Sequence, residues 1–187
     1  MRAAALVVGT VLLTGCAANG DGASTTLPSA SAPTSETGDQ LPALGPPDLP
    51  MPEDARAQTP DGARAFIEYF VEVYNDGQRT LKSTYLRQIS LDCETCDALA
   101  NGLDADNAEG NARQGGELII EAISSPAVNG REAQAAFTLR QSAMVTTRDG
   151  VPVDGLSTPE RDELSSGAIL LWDDEAVSWR MTQLDVS

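Results

Sequence analysis

The sequence predicts an α+β domain, three N-terminal helices packed on a four-stranded antiparallel sheet. Three observations lead there. All eight aromatic residues fall between Phe66 and Trp179, so the material for a core sits in the last two-thirds of the chain. Apolar residues recur at helical spacing from residue 60 to about 109. After Gly115-Gly116 the period changes to two and stays there. Helices followed by antiparallel strands bury their apolar stripes against one sheet face.

The first helix starts at TPDG, with Thr59 placed to cap it and Pro60 at the first helical position. Phe66, Tyr69, Phe70, Val73 and Tyr74 form its apolar stripe, and Asn75-Asp76-Gly77 predicts its end, with Gly77 as the left-handed residue. A shorter helix fits Thr80 to Gln88, with Leu81, Tyr85 and Leu86 inward. A third fits Asp92 to about Glu109, with Cys96, Leu99 and Leu103 on one face. Its end, Asp104-Ala105-Asp106-Asn107, lacks the glycine and the chelator that a calcium loop needs at the next positions, so it is read as a solvated acidic helix end.

GELIIEAIS is the first strand, and Asn129-Gly130 marks a hairpin tip. Residues 131–146 alternate Ala133, Ala135, Phe137 and Leu139 with polar partners, a half-buried strand long enough to need a bend or bulge. Residues 147–163 are polar and predict a loop. The last two strands, SGAILLW and AVSWRMTQLDV, are joined at Asp173-Asp174-Glu175.

Before this domain, residues 16–60 hold eight of the eleven prolines and no aromatic residue, which predicts a disordered tether. Its flexible span is about 35–40 Å. The folded domain is therefore expected over 61–187, long enough to bury roughly two-thirds of its unfolded surface.

The first residues, MRAAALVVGTVLLTGC, carry one base, a short apolar run and small residues, the pattern of a secretory signal over 1–15. The run is shorter than the roughly 20 residues a spanning helix needs. Leu13-Thr14-Gly15-Cys16 resembles the bacterial lipoprotein lipobox. The resemblance implies cleavage before Cys16, lipid on its sulfur, and a protein held at the extracytoplasmic face of the cell membrane. Acyl chains contribute about 0.8 kcal/mol per buried CH₂, enough for two or three to anchor a domain.

The chain has 12 basic and 28 acidic residues, a net charge of −16. Removing 1–15 takes away Arg2 and no acid, leaving −17. Such a surface repels nucleic acid and anionic headgroups, so the membrane is reached through lipid on Cys16. There is no histidine, which excludes Ser-His-Asp and Cys-His catalysis and histidine zinc sites. No cofactor and no metal is expected.

Cys93-Glu94-Thr95-Cys96 could be a redox centre, a metal clamp or a staple. A thioredoxin-like centre lacks its βαβ context, and Asp92, Glu94 and Asp97 oppose thiolate formation. Zinc needs four ligands. Outside the cytoplasm two thiols at i and i+3 oxidise, so a structural disulfide is expected between Cys93 and Cys96. Closing so short a loop contributes about 2 kcal/mol.

The LPMP at 49–52, GARAFIEYF at 62–70, the Cys93/Cys96 pair and the closing tryptophan hairpin resemble a family of uncharacterised lipoproteins from high-GC Gram-positive bacteria. The order of elements is similar to the cone-shaped nuclear-transport-factor-two-like superfamily, with its ketosteroid isomerases and SnoaL-like cyclases. That likeness implies a curved sheet and a pocket beneath the helices. The inward set is Phe66, Tyr69, Phe70 and Tyr74 facing Phe137, Leu139, Leu170 and Trp179. These residues either line an apolar cavity or close into a solid core, and the sequence leaves both open. Three functions follow: a non-catalytic module binding a small apolar ligand or an envelope partner, an isomerase- or cyclase-like enzyme using a carboxylate or tyrosine, and a structural spacer.

Overall fold

The computed structural model describes residues 41–187; the signal at 1–15, Cys16 and the tether to residue 40 lie outside them. Helix α1 (Pro60–Thr80) starts as expected, the Thr59 hydroxyl accepting from the Gly62 N–H. It ends later than expected. Gly77 stays helical, and Leu81, at φ 53°, takes the left-handed position. Gly77 serves packing instead: a Cβ there would stand 3.0 Å from Leu103 Cδ1 and 3.1 Å from the Lys82 carbonyl. That glycine lets the third helix close on the first. Helix α2 (Thr84–Gln88) is shorter than predicted, and α3 (Glu94–Ala108) is capped by Cys93.

The expected four strands become eight: β1 (Asn111–Gly115), β2 (Leu118–Ile123), β3 (Ala127–Asn129), β4 (Glu132–Gln141), β5 (Met144–Arg148), β6 (Val151–Pro152), β7 (Arg161–Asp173) and β8 (Ser178–Val186). They form a five-stranded sheet in the order β2-β4-β7-β8, with β3 also on β4, and a three-stranded sheet β1-β5-β6. Every strand pair is antiparallel.

The two sheets are one ladder with a bend in it. Gly115 opposes Met144 and Leu118 opposes Gln141, so the register runs through without a slip. The bend falls at Gly115 and Gly116, with φ of 78° and 81°, opposite Ser142-Ala143. A Cβ on Gly115 would stand 2.1 Å from the Ala143 carbonyl oxygen. Only glycine allows that approach. The bend that the long 131–146 strand required is therefore at 142–143, and it divides that strand into β4 and β5. The polar stretch 147–163, read as a loop, contains the end of β5, all of β6 and the start of β7.

The boundary at residue 61 is also corrected. Residues 41–60, expected in the disordered tether, form a strap on the domain that ends in a 3-10 turn, Asp54–Arg56, and the start of α1. Leu44, Met51 and Ala55 are buried. The strap's polar groups find partners in the domain. The Gly45 N–H donates to Gln88 Oε1 at 2.9 Å, and Arg56 donates to the Ala176 carbonyl at 3.0 Å. Proline content misled the sequence reading, because an extended proline-rich chain stays ordered when side chains outside it satisfy its carbonyls.

The core lies between α1 and the five-stranded sheet. Its largest fully buried side chains include Trp179, Tyr69, Phe66, Ile67, Leu139 and Leu170. The sheet's two edges differ. On the β8 edge residues 89–91 pair with Met181, where the Leu91 N–H donates to the Met181 carbonyl at 2.9 Å and the Met181 N–H donates to the Ile89 carbonyl at 3.0 Å. The β2 edge faces α1 and open space.

Candidate functional site

All eight residues expected around a pocket are brought together, and they fill the space. Phe66, Tyr69, Phe70, Tyr74, Phe137, Leu139, Leu170 and Trp179 are each 6% exposed or less. The void that remains is about 10 Å³, bordered by Phe70, Tyr74, Leu99, Phe137, Leu139 and Met181 among others. That is about one water-sized sphere, against roughly 300 Å³ for a ligand pocket. Of the two open packings, the solid core is the one found. Among the described residues no carboxylate borders the void, so they do not assemble there the acid–base pair that isomerase-like chemistry requires. Met181 and Leu184 belong to the inward set and were missed. Met181 follows Trp179 by two, so alternation along the strand could have found it.

Tyr69 points its hydroxyl away from the void. The oxygen lies 2.9 Å from the Leu49 carbonyl and 3.3 Å from that of Leu44, so this phenol holds the strap. Burial pushes its pKa up from 10.0 to about 12, with Arg56 opposing. A raised folded pKa stabilises fully below the unfolded value and is lost as pH rises through the folded one. Stability should therefore fall from about pH 10 toward pH 12. Tyr69→Phe should be less stable at neutral pH by about 1 kcal/mol and show a shallower alkaline loss. Denaturant melts at pH 8, 10 and 11 measure both. An unchanged alkaline slope would remove Tyr69 from this role.

Cys93 and Cys96 are both buried, with their sulfurs 2.02 Å apart, the disulfide expected. The Cys93 Sγ also accepts from the Cys96 N–H at 3.2 Å, so the pair fixes the start of α3. Burial keeps an attacking thiol from either sulfur. Among the described residues no group of three or more acidic, cysteine or histidine side chains is placed to hold a metal.

Asp106, read as part of a solvated helix end, is buried instead. Its carboxylate accepts from Arg113 Nε at 2.5 Å and from Asn111 Nδ2 at 2.7 Å. Arg113 also donates to Gln78 Oε1 and to the Gly102 carbonyl. Arg148 joins Asn111 to Glu109. This network is saturated and binds α1, α3, β1 and β5 together.

One open feature is a groove of about 570 Å³ between α1 and β2, lined by Arg64, Glu68, Val71, Glu72 and Asn75 on the helix and by all of Leu118–Ile123 on the strand. A smaller trough of about 290 Å³ shares Arg64 and Glu68 and reaches Asp54 and Asp61 at the helix start. Asp54, Asp61, Glu68 and Glu72 take part in no ion pair among the described residues. Glu121 on the strand is held by Arg140 at 3.3 Å. Helical spacing aligns residues 64, 68, 72 and 75 into one stripe. The sequence showed the stripe only as polar, and nothing in it marked the strand edge opposite.

No curated protein matches the chain. Among solved structures it is similar to the intermembrane space region of the chloroplast protein ARC6, at 13% identity and TM-score 0.46, over 65% of this chain and 93% of that one. It is also similar to a nuclear transport factor 2-like superfamily protein from Salmonella enterica, at 14% identity and TM-score 0.41, over 65% of this chain and 87% of that one. A family of unknown function, DUF6318, matches residues 37–184, and the chain belongs to that family.

Proposed function

We propose that this chain is a lipid-anchored cell-envelope module that engages a macromolecular partner, held to the membrane through Cys16 and presented by residues 17–40. The filled interior carries the reading: with about 10 Å³ left, a small apolar ligand has no preformed place, and recognition moves to the surface. The lipobox pattern and the short apolar leader support the anchor. Among the described residues no helix is long and apolar enough to cross a membrane. The open α1/β2 groove favours partner recognition over a plain spacer.

Two measurements test this. Cys16→Ala should lose acylation and leave the detergent phase; a variant that partitions like wild type would end the anchor reading. Cross-linking on intact membranes should give a discrete protein adduct. Recovery of the chain with a stoichiometric lipid or metabolite and no adduct would restore the small-ligand reading.

A further inference from the structure

We infer that the α1/β2 groove takes an extended, basic peptide segment of the partner, added as a strand to the β2 edge. The inference rests on the partner-binding reading above.

The backbone supplies the first argument. Toward β4, the Glu117 carbonyl accepts from the Ser142 N–H and the Ser124 N–H donates to the Ala136 carbonyl. Alternation then turns the backbone groups of Leu118, Ile120 and, past the register shift between Ile120 and Ala122, Ile123 away from β4 and into the groove. One of these rungs is already filled. Asn75 Nδ2 donates to the Leu118 carbonyl at 2.9 Å, and Asn75 Oδ1 accepts from the Leu118 N–H at 2.9 Å. The side-chain amide pairs with Leu118 as a residue of a neighbouring strand would. Ile120 and Ile123 continue the same row with no such side chain from α1. At the opposite edge, β8, the chain's own residues 89–91 already pair with Met181, whereas β2 has β4 on one side and, among the described residues, no strand on the other.

Charge identifies the occupant. The groove and the trough beyond it hold Asp54, Asp61, Glu68 and Glu72 free of ion pairs, against Arg64 alone. Residues 17–40 of this chain carry Asp21, Glu36 and Asp39 and no base, so the acidic groove does not favour them. A second copy would set acidic groove against acidic groove at −16 per chain. A segment that alternates basic and small β-branched residues satisfies both the rungs and the carboxylates.

The probes are three octapeptides titrated into the isotope-labelled full chain: alternating Lys and Val, alternating Glu and Val, and the Lys-Val peptide N-methylated at every second residue. The Lys-Val peptide should shift amide signals at 118–123 and along 64–75, and its affinity should fall with salt. Glu68→Gln and Glu72→Gln should each weaken it about threefold. The Glu-Val and N-methylated peptides should not bind. Binding of the N-methylated peptide as strongly as its parent, shifts confined to another surface, or no binding of any peptide overturns the groove assignment. If the membrane cross-link persists in that case, the partner reading stands without the groove; if it is also absent, both fall.

Discussion

Trp179→Ala should cost the domain about 3–5 kcal/mol, much of the roughly 5–15 kcal/mol that a domain has in total. Trp179 is fully buried, and its loss removes two attachments together. Its indole N–H donates to the Ala57 carbonyl at 2.9 Å, tying the strap to β8. Its ring meets Trp172 edge-on, centroids 5.3 Å apart at 80°. Beside it, the Ser178 hydroxyl lies 3.0 Å from Met51 Sδ, a second tie to the strap. Trp179→Phe keeps most of the volume and loses the N–H, so it should cost about 1–2 kcal/mol beyond the smaller ring's lost contacts. Urea melts followed by far-UV circular dichroism measure both, with Trp172 fluorescence as a second probe. A loss below about 1 kcal/mol for the alanine variant would mean that the strap and the β7–β8 hairpin do not unfold with the rest.

Elements with a strong local period were legible in the sequence, and those defined by a distant partner were not. The Phe66–Tyr74 stripe, the Thr59 cap, the Asn129-Gly130 tip and the two closing strands depend on neighbours in the chain, and each stands where the pattern put it, with β7 extended back to Arg161. The strap has no period, because Leu44 and Met51 are buried by contacts with residues far along the chain. Gly77 looked like a terminator because glycine serves chain reversal and close packing alike; here Leu103 decides which. Trp179 was predicted inward from alternation, but its bond to Ala57 could not be, since residue 57 was counted as tether.

For the site the division is sharper. The eight inward residues are buried, but the sequence could not say whether they leave a cavity, because that turns on how far the bent sheet draws away from α1. The groove was invisible for a related reason. Glu68 and Glu72 read as a solvated face, and only the β2 edge beside them gives their charge a direction. Asp106 erred the other way. Its neighbours are exposed acids, and its own burial comes from Arg113, on the strand after the helix.

Asp106→Ala should be the most damaging polar substitution, costing about 3 kcal/mol. Asp106 and Arg113 are 11% and 14% exposed, so both charges are largely removed from water. Truncating the acid leaves the guanidinium with only neutral acceptors, Gln78 Oε1 and the Gly102 carbonyl, and leaves Asn111 Nδ2 without its 2.7 Å partner. An unpaired charge in such a place costs more than the intact pair contributes, because desolvation is no longer offset. Replacing both ions by apolar residues, Asp106→Leu with Arg113→Met, should therefore recover more than half of the loss. A double variant no better than the single would mean that the network acts through its hydrogen bonds, not through compensation of buried charge. The consequence should reach the groove. Gln78 accepts from Arg113 and donates to the Gly116 carbonyl at 3.2 Å, two residues before Leu118, whose edge groups Asn75 pairs. Without Asp106 the position of Arg113 is less fixed, and so is that of Gln78 bonded to it and of the bend that sets β2 against α1. In hydrogen exchange, the Leu118 amide should lose protection in Asp106→Ala well before the β7–β8 amides do. Loss at the same rate would show that the network secures the whole domain and not the bend.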